Sequence, residues 1–206
     1  HIIPNGKLVA FEPMKKNFDV LCKNIVNHEL DKKNVLALNV ALSDKSKQSQ
    51  YIINNRNMGD CRGHVFKGET FEEETVQEIS LDDFFENLNS IDIEWGKIKL
   101  IKIDTQGSEV NILKGGSKCF ENHFNGTIFM EYAPYWLNNN NQDMEWFWKF
   151  LKEQMFSIFS IPLDSNINGR PIVNPSSIEK LQDYYEECKE KDTYCNIILK
   201  KTPYNN

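Results

Sequence analysis

Long apolar runs, paired cysteines and an excess of positive charge are all missing from this sequence, and each absence excludes a class of function. No apolar stretch approaches the ~18 residues of a membrane-spanning helix, so no membrane partner is expected. The five cysteines (Cys22, Cys61, Cys119, Cys188 and Cys195) are scattered, odd in number and contain no C-x-x-C pair. That argues against zinc or disulfides and for reduced thiols in a cytoplasmic protein. With 24 Lys and Arg against 30 Asp and Glu, the net charge is -6, so the basic surface that broad nucleic-acid binding requires is lacking. No secretory signal pattern, internal repeat or linker is visible, and no G-x-G-x-x-G turn marks a dinucleotide site.

What remains is a chain of 206 residues with 40% hydrophobic content, enough for one α/β domain spanning 1–206 with a full core. Its most informative stretch is KIKLIKIDTQGSEVNIL, beginning at Lys97. An apolar, β-branched run ends in Asp104, a turn with Gly107 follows, and a helix starts with Glu109. This places a carboxylate at the carboxyl end of a buried strand, where open α/β sheets bind ligands. A second such unit is LVAFEPMKKNF: strand Lys7–Phe11, then Glu12, then Pro13 in the first turn of a helix over Met14–Asn27.

The spacing predicts further strands at Asn34–Leu42, Gln50–Ile53, Thr75–Ile79 (an edge), Ile98–Ile103 (central), Thr127–Met130 (closed by Glu131), Phe156–Ile161 and Asn196–Lys200. Helices are expected at Leu81–Leu88 with Ser80 as N-cap, Ser108–Leu113, Asp143–Gln154 and Ser177–Lys189, with a helical turn at Cys119–His123. The Asn138–Asn141 run reads as an exposed loop without chemistry, and Asn54–Gly68 and Asp164–Arg170 read as loops. Strands alternating with helices predict a mainly parallel sheet.

Five segments in order, AFEPMKKNFDVLCKN, NVALSD, SLDDFF, IKIDTQGSEVNILKGG and FMEY, resemble the FkbM family of S-adenosylmethionine-dependent methyltransferases over Lys7–Tyr132. The resemblance implies a Rossmann-like class I methyltransferase sheet, mostly parallel with an antiparallel last strand. It also implies S-adenosylmethionine as cofactor and methyl transfer to a hydroxyl of a sugar, glycan or small molecule. The family's first strand and helix, with the glycine-rich loop that cradles the cofactor, belong before Lys7. The chain, which begins His-Ile-Ile-Pro, is therefore read as the C-terminal part of a longer one. The alternative is a non-catalytic α/β module that has lost cofactor binding.

On this resemblance, Glu12 accepts hydrogen bonds from the ribose hydroxyls; otherwise it is a helix-start acid favoured by the dipole. Asn39, Val40, Ala41, Ser43 and Asp44 border the adenine, with Asn39 accepting from its exocyclic amine, or they form an ordinary capped strand end. Asp104 positions the cofactor's amino group or the acceptor hydroxyl, or caps the following helix. Lys102, Asp104, Gly107 and Glu109 match the family motif, while Gln106 stands where an acid is usual; Glu109 reads as structural or functional alike. Glu131 joins Asp104 as a candidate catalytic carboxylate, able to act as a base; two ligands are too few for a metal and none is expected. In Asn57–His64, Arg62 can hold an anion and His64 can serve as a base, if this is not simply a solvated loop. Tyr132, Tyr135 and Trp136 line an acceptor pocket or belong to the core. His28 and His123 read as helix-end or loop residues.

Overall fold

A computed structural model describes residues 6–28, 34–53, 72–87, 93–122, 124–163, 166–167 and 170–201. The chain divides into two compact units, His1–Ile93 and Glu94–Asn206. Among the described residues no helix is long and apolar enough to cross a membrane.

In the first unit, strand β1 (Leu8–Phe11) leads into helix α1 (Lys15–Asn27). Strand β2 (Val35–Leu38) pairs parallel with β1, Leu8 opposite Val35 and Phe11 opposite Leu38. The expected continuous strand over 34–42 is broken at Asn39. Its side-chain amide turns away to donate to the carbonyls of Glu12 (2.9 Å) and Pro13 (2.8 Å), a competition with ladder bonding that Asn readily offers. The chain resumes as β3 (Ala41–Leu42), which joins a different sheet.

That sheet has the order β3-β5-β4, with β4 (Lys47–Ile53) antiparallel and β3 parallel to β5 (Glu72–Ile79). Thus β5, expected at an edge, has a neighbour on each side. Val76 points inward to a small core with Met14 and Ala41, against which Tyr51 packs. Helix α2 (Leu81–Glu86) follows the expected cap, Ser80 Oγ accepting from Asp83 N at 3.0 Å.

The second unit carries β6 (Leu100–Ile103), α3 (Glu109–Gly115), α4 (Ser117–Asn122), β7 (Thr127–Tyr132), α5 (Pro134–Asn139), α6 (Met144–Glu153) and β8 (Phe156–Pro162). It closes with short strands β9 (Asn166–Ile167), β10 (Arg170–Pro171) and β11 (Asn174–Pro175), helix α7 (Ile178–Cys188) and β12 (Cys195–Lys201). The five-stranded order is β11-β8-β12-β7-β6. β6 runs parallel to β7, while β12 lies between β7 and β8 and is antiparallel to both. The last strand is therefore the reversed one, as expected. Among the described residues β6 pairs with β7 alone, and Leu100 on it is 64% exposed.

The core of this unit is fully buried: Val110, Leu113, Phe120, Ile128, Met130, Tyr132, Leu137, Phe147, Leu151, Ile197 and Leu199. Each such side chain contributes about 1.5–3 kcal/mol by leaving water. Trp95, Phe120, Phe124 and Phe150 add edge-to-face ring contacts at 5.3–5.6 Å, the geometry that ring quadrupoles favour. Helix α5 was not anticipated. Pro134 opens it at the position where a missing N–H costs nothing, and the Asn-rich sequence hid it.

Candidate functional site

In the second unit, the register of β6 on β7 sets the arrangement. Ile103 lies opposite Met130, so Asp104 and Glu131 follow side by side at the next position. Glu131 is not at the strand's end as expected, because β7 continues to Tyr132, with Glu131 opposite Asn196 of β12. The two carboxylates differ in surroundings. Asp104 is exposed and pairs with Lys102 Nζ at 2.7 Å, a surface ion pair worth little to stability. Glu131 is 9% exposed, and its Oε2 accepts from Gln106 Nε2 at 3.3 Å.

Asp104 is not the helix cap: α3 starts after Ser108, which makes no side-chain capping bond. The acid that serves the free amides here is Glu109. Its Oε1 accepts from Thr105 N (2.9 Å), Thr105 Oγ1 (3.0 Å) and Gly107 N (3.2 Å). Glu109 is fully buried, and its Oε2 has no hydrogen-bond partner. Burial pushes its carboxyl above the ordinary range, and the bonds from the backbone and Thr105 oppose this without overcoming it.

The turn between Asp104 and the helix is left-handed at two successive residues, Gln106 (φ 54°) and Gly107 (φ 96°). Glycine is required at the second. A Cβ there would stand 2.5 Å from Asn140 Nδ2 and 2.8 Å from the Trp136 carbonyl oxygen. Asn140 itself donates from Nδ2 to the carbonyls of Gln106 (3.2 Å) and Gly107 (3.1 Å). The Asn138–Asn141 run is therefore not a loop without chemistry. Asn138 lies in α5 and accepts from Tyr185 Oη at 3.4 Å, and Asn140 ends that helix against the turn. Nothing but Asn's preference for helix ends signalled this in the sequence.

Of the proposed acceptor aromatics, Tyr132 belongs to the core. It is fully buried, donates to the Leu181 carbonyl at 2.9 Å and stacks on Phe147. Tyr135 and Trp136 are half-buried and meet edge to face at 4.9 Å.

In the first unit, Glu12 follows β1 directly and is half-buried. Its Oε1 accepts from Met14 N at 2.9 Å, so the helix-start role is present. Its carboxyl is raised above the ordinary range, chiefly by burial. The two bonds donated by Asn39 Nδ2 fix that amide's orientation, since its oxygen cannot face two carbonyls; Asn39 Oδ1 is left as the acceptor. Val40 and Asp44 are half-buried. Ala41 is committed to the core, and Ser43 is buried, with Oγ 3.5 Å from Asp44 Oδ1.

His64 and Arg62 lie outside the described residues, as does His123; His28 is the C-cap of α1. Among the described residues no group of three or more His, Cys, Asp or Glu is placed to hold a metal ion.

A family model described as the methyltransferase FkbM domain matches residues 3–158. Among solved structures, the crystal structure of methyltransferase FkbM from Methylobacillus flagellatus KT is similar in fold, with a TM-score of 0.50 at 11% identity. The similarity covers 94% of this chain and 36% of that one, so the chain spans about a third of that relative's length. Comparison with curated proteins finds no match.

Proposed function

The chain belongs to the FkbM methyltransferase family, and from that premise we propose that it is part of an S-adenosylmethionine-dependent methyltransferase acting on a hydroxyl of a sugar or other small molecule. We read both units as parts of one such domain. The observation that carries the proposal is Asp104, a solvent-facing carboxylate at the carboxyl end of β6, followed by a turn fastened from within by the buried Glu109.

Taken unit by unit, the residues present suit parts of the cofactor's chemistry. Asn39 Oδ1 is a fixed acceptor suited to an exocyclic amine, beside half-buried Val40 and Asp44. Glu12 already accepts from Met14 N and bonds to the Asn17 side chain, and its carboxylate is of the type suited to ribose hydroxyls. Asp104 is suited to the amino group of the amino-acid end. The cofactor, when bound, supplies an electrophilic methyl group. Glu131, held by Gln106, is the candidate to take the proton of the acceptor hydroxyl, whose neutral oxygen is a weak nucleophile. His64 is the second candidate base. Positioning supplies most of the rate effect in such a displacement.

The test is calorimetric titration of the full-length protein with S-adenosylmethionine. Wild type binds, and Asp104→Asn weakens binding at least roughly tenfold, the scale of one charge-assisted hydrogen bond. Absence of binding by wild type sinks the proposal and leaves the non-catalytic module.

A further inference from the structure

The 105–107 turn is held from two sides by groups of opposite hydrogen-bonding character. Glu109 Oε1 takes the N–H groups of Thr105 and Gly107. Asn140 Nδ2 gives its two hydrogens to the carbonyls of Gln106 and Gly107. Glu109 is two residues from the turn, but Asn140 lies more than thirty residues away in sequence, just after α5. Its own N–H bonds to the Trp136 carbonyl at 3.0 Å, so the side chain is projected from a formed helix end. The approach is close enough that any side chain at Gly107 would strike Asn140 and the Trp136 backbone.

The turn so held is an unfavourable one. Left-handed backbone is unfavourable at a residue with a side chain, and Gln106 adopts it. The conformation aims the Gln106 amide at Glu131 Oε2, and the same turn begins directly after Asp104. Fixing a segment before a ligand arrives removes the cost of ordering it on binding.

We infer that Asn140 is a positioning residue of this site, acting through the 105–107 turn to set Gln106 against Glu131 and to present Asp104. What the turn positions rests on the methyltransferase reading; the two-sided clamp rests on geometry alone.

The experiment compares wild type, Asn140→Ala, Asn140→Asp and Asp104→Asn in the full-length protein. Amide hydrogen exchange of residues 105–107 and the calorimetric Kd for S-adenosylmethionine are both read. Losing the donor raises exchange at Gly107 about tenfold in Asn140→Ala, with a comparable loss of affinity. Asn140→Asp is worse than Asn140→Ala on both counts, because a carboxylate then faces two carbonyls. A role in packing alone predicts the reverse order, since Asp matches Asn in shape. Should Asn140→Asp fail to fold, Asn140→Ser, with a shorter donor, ranks between wild type and Asn140→Ala. Unchanged exchange in the Asn140 variants overturns the clamp. Faster exchange with unchanged affinity, while Asp104→Asn still weakens binding, overturns the positioning role and leaves the methyltransferase reading standing. Absence of binding by wild type overturns that reading, and the positioning role with it, whatever the exchange shows.

Discussion

Replacing Glu109 by Gln changes one atom in a fully buried group and makes stability respond to pH in a direction the structure dictates. Glu109 Oε1 accepts three hydrogen bonds and Oε2 none. The amide keeps the accepting oxygen and the shape, and removes the titration. Burial raises the native carboxyl above its ordinary value of 4.5. Between 4.5 and that raised value the native state holds more protons than the unfolded chain, so wild-type stability falls as pH rises. The limiting slope for one proton is about 1.4 kcal/mol per pH unit, and the curve flattens above the native value. Glu109→Gln lacks this decline. At acid pH the variant is the less stable by about 1–3 kcal/mol, because its amide hydrogens meet the place where Oε2 has no partner. That deficit shrinks as pH rises from about 4.5 and passes toward a gain. Glu109→Ala instead leaves the Gly107 amide without its acceptor and opens a cavity, a loss of about 3–5 kcal/mol. The assay is urea denaturation of wild type and Glu109→Gln at half-unit steps from pH 4 to 8. A constant difference refutes the reasoning. A difference that widens against Gln as pH rises means that the three bonds outweigh burial and the native carboxyl is ionised.

Gly107→Ala forces a side chain into left-handed backbone and to within 2.8 Å of the Trp136 carbonyl; we expect a loss of about 3 kcal/mol or more by denaturant midpoint, and a near-neutral result would mean that the turn can move. Asp143→Ala removes the N-cap of α6, which accepts from Trp146 N at 3.0 Å, and the partner of Lys114 at 2.8 Å, costing about 1 kcal/mol. Those same two groups, Lys114 most of all, hold the Asp143 carboxyl below its ordinary value of 3.8. The capping contribution is therefore present above 3.8 and is lost as pH falls through the lowered value, so wild type and Asp143→Ala converge in acid; parallel melts across that range check it.

Much of the framework was legible because local chemistry carries it. The Ser80 cap, the apolar period of α6 and the β-branched run of β6 are each decided within a few residues. The order of motifs from Lys7 to Tyr132 resembles the FkbM family, and the family match over 3–158 agrees. Asp104 and Glu131 could be placed as neighbours because both terminate apolar runs.

The tertiary structure decided what each carboxylate does. Asp104, for which capping was the alternative reading, faces solvent beside Lys102, while the fully buried Glu109 serves the turn's amides. A single run over 34–42 became two strands in two sheets because Asn39 bonds to Glu12 and Pro13, 26 or 27 residues away. Tyr132 went to the core because β12 and α7 close over it, its hydroxyl finding Leu181. Asn140 found the turn from across the fold. The sequence by itself determined most of the strands and helices, the Ser80 cap and the family, since propensity, periodicity and motif spacing are properties of neighbours along the chain. Burial and hydrogen-bond partnership across the fold decided which acids face solvent, which are buried and which serve the backbone, since desolvation and long-range contact exist only once the chain has packed.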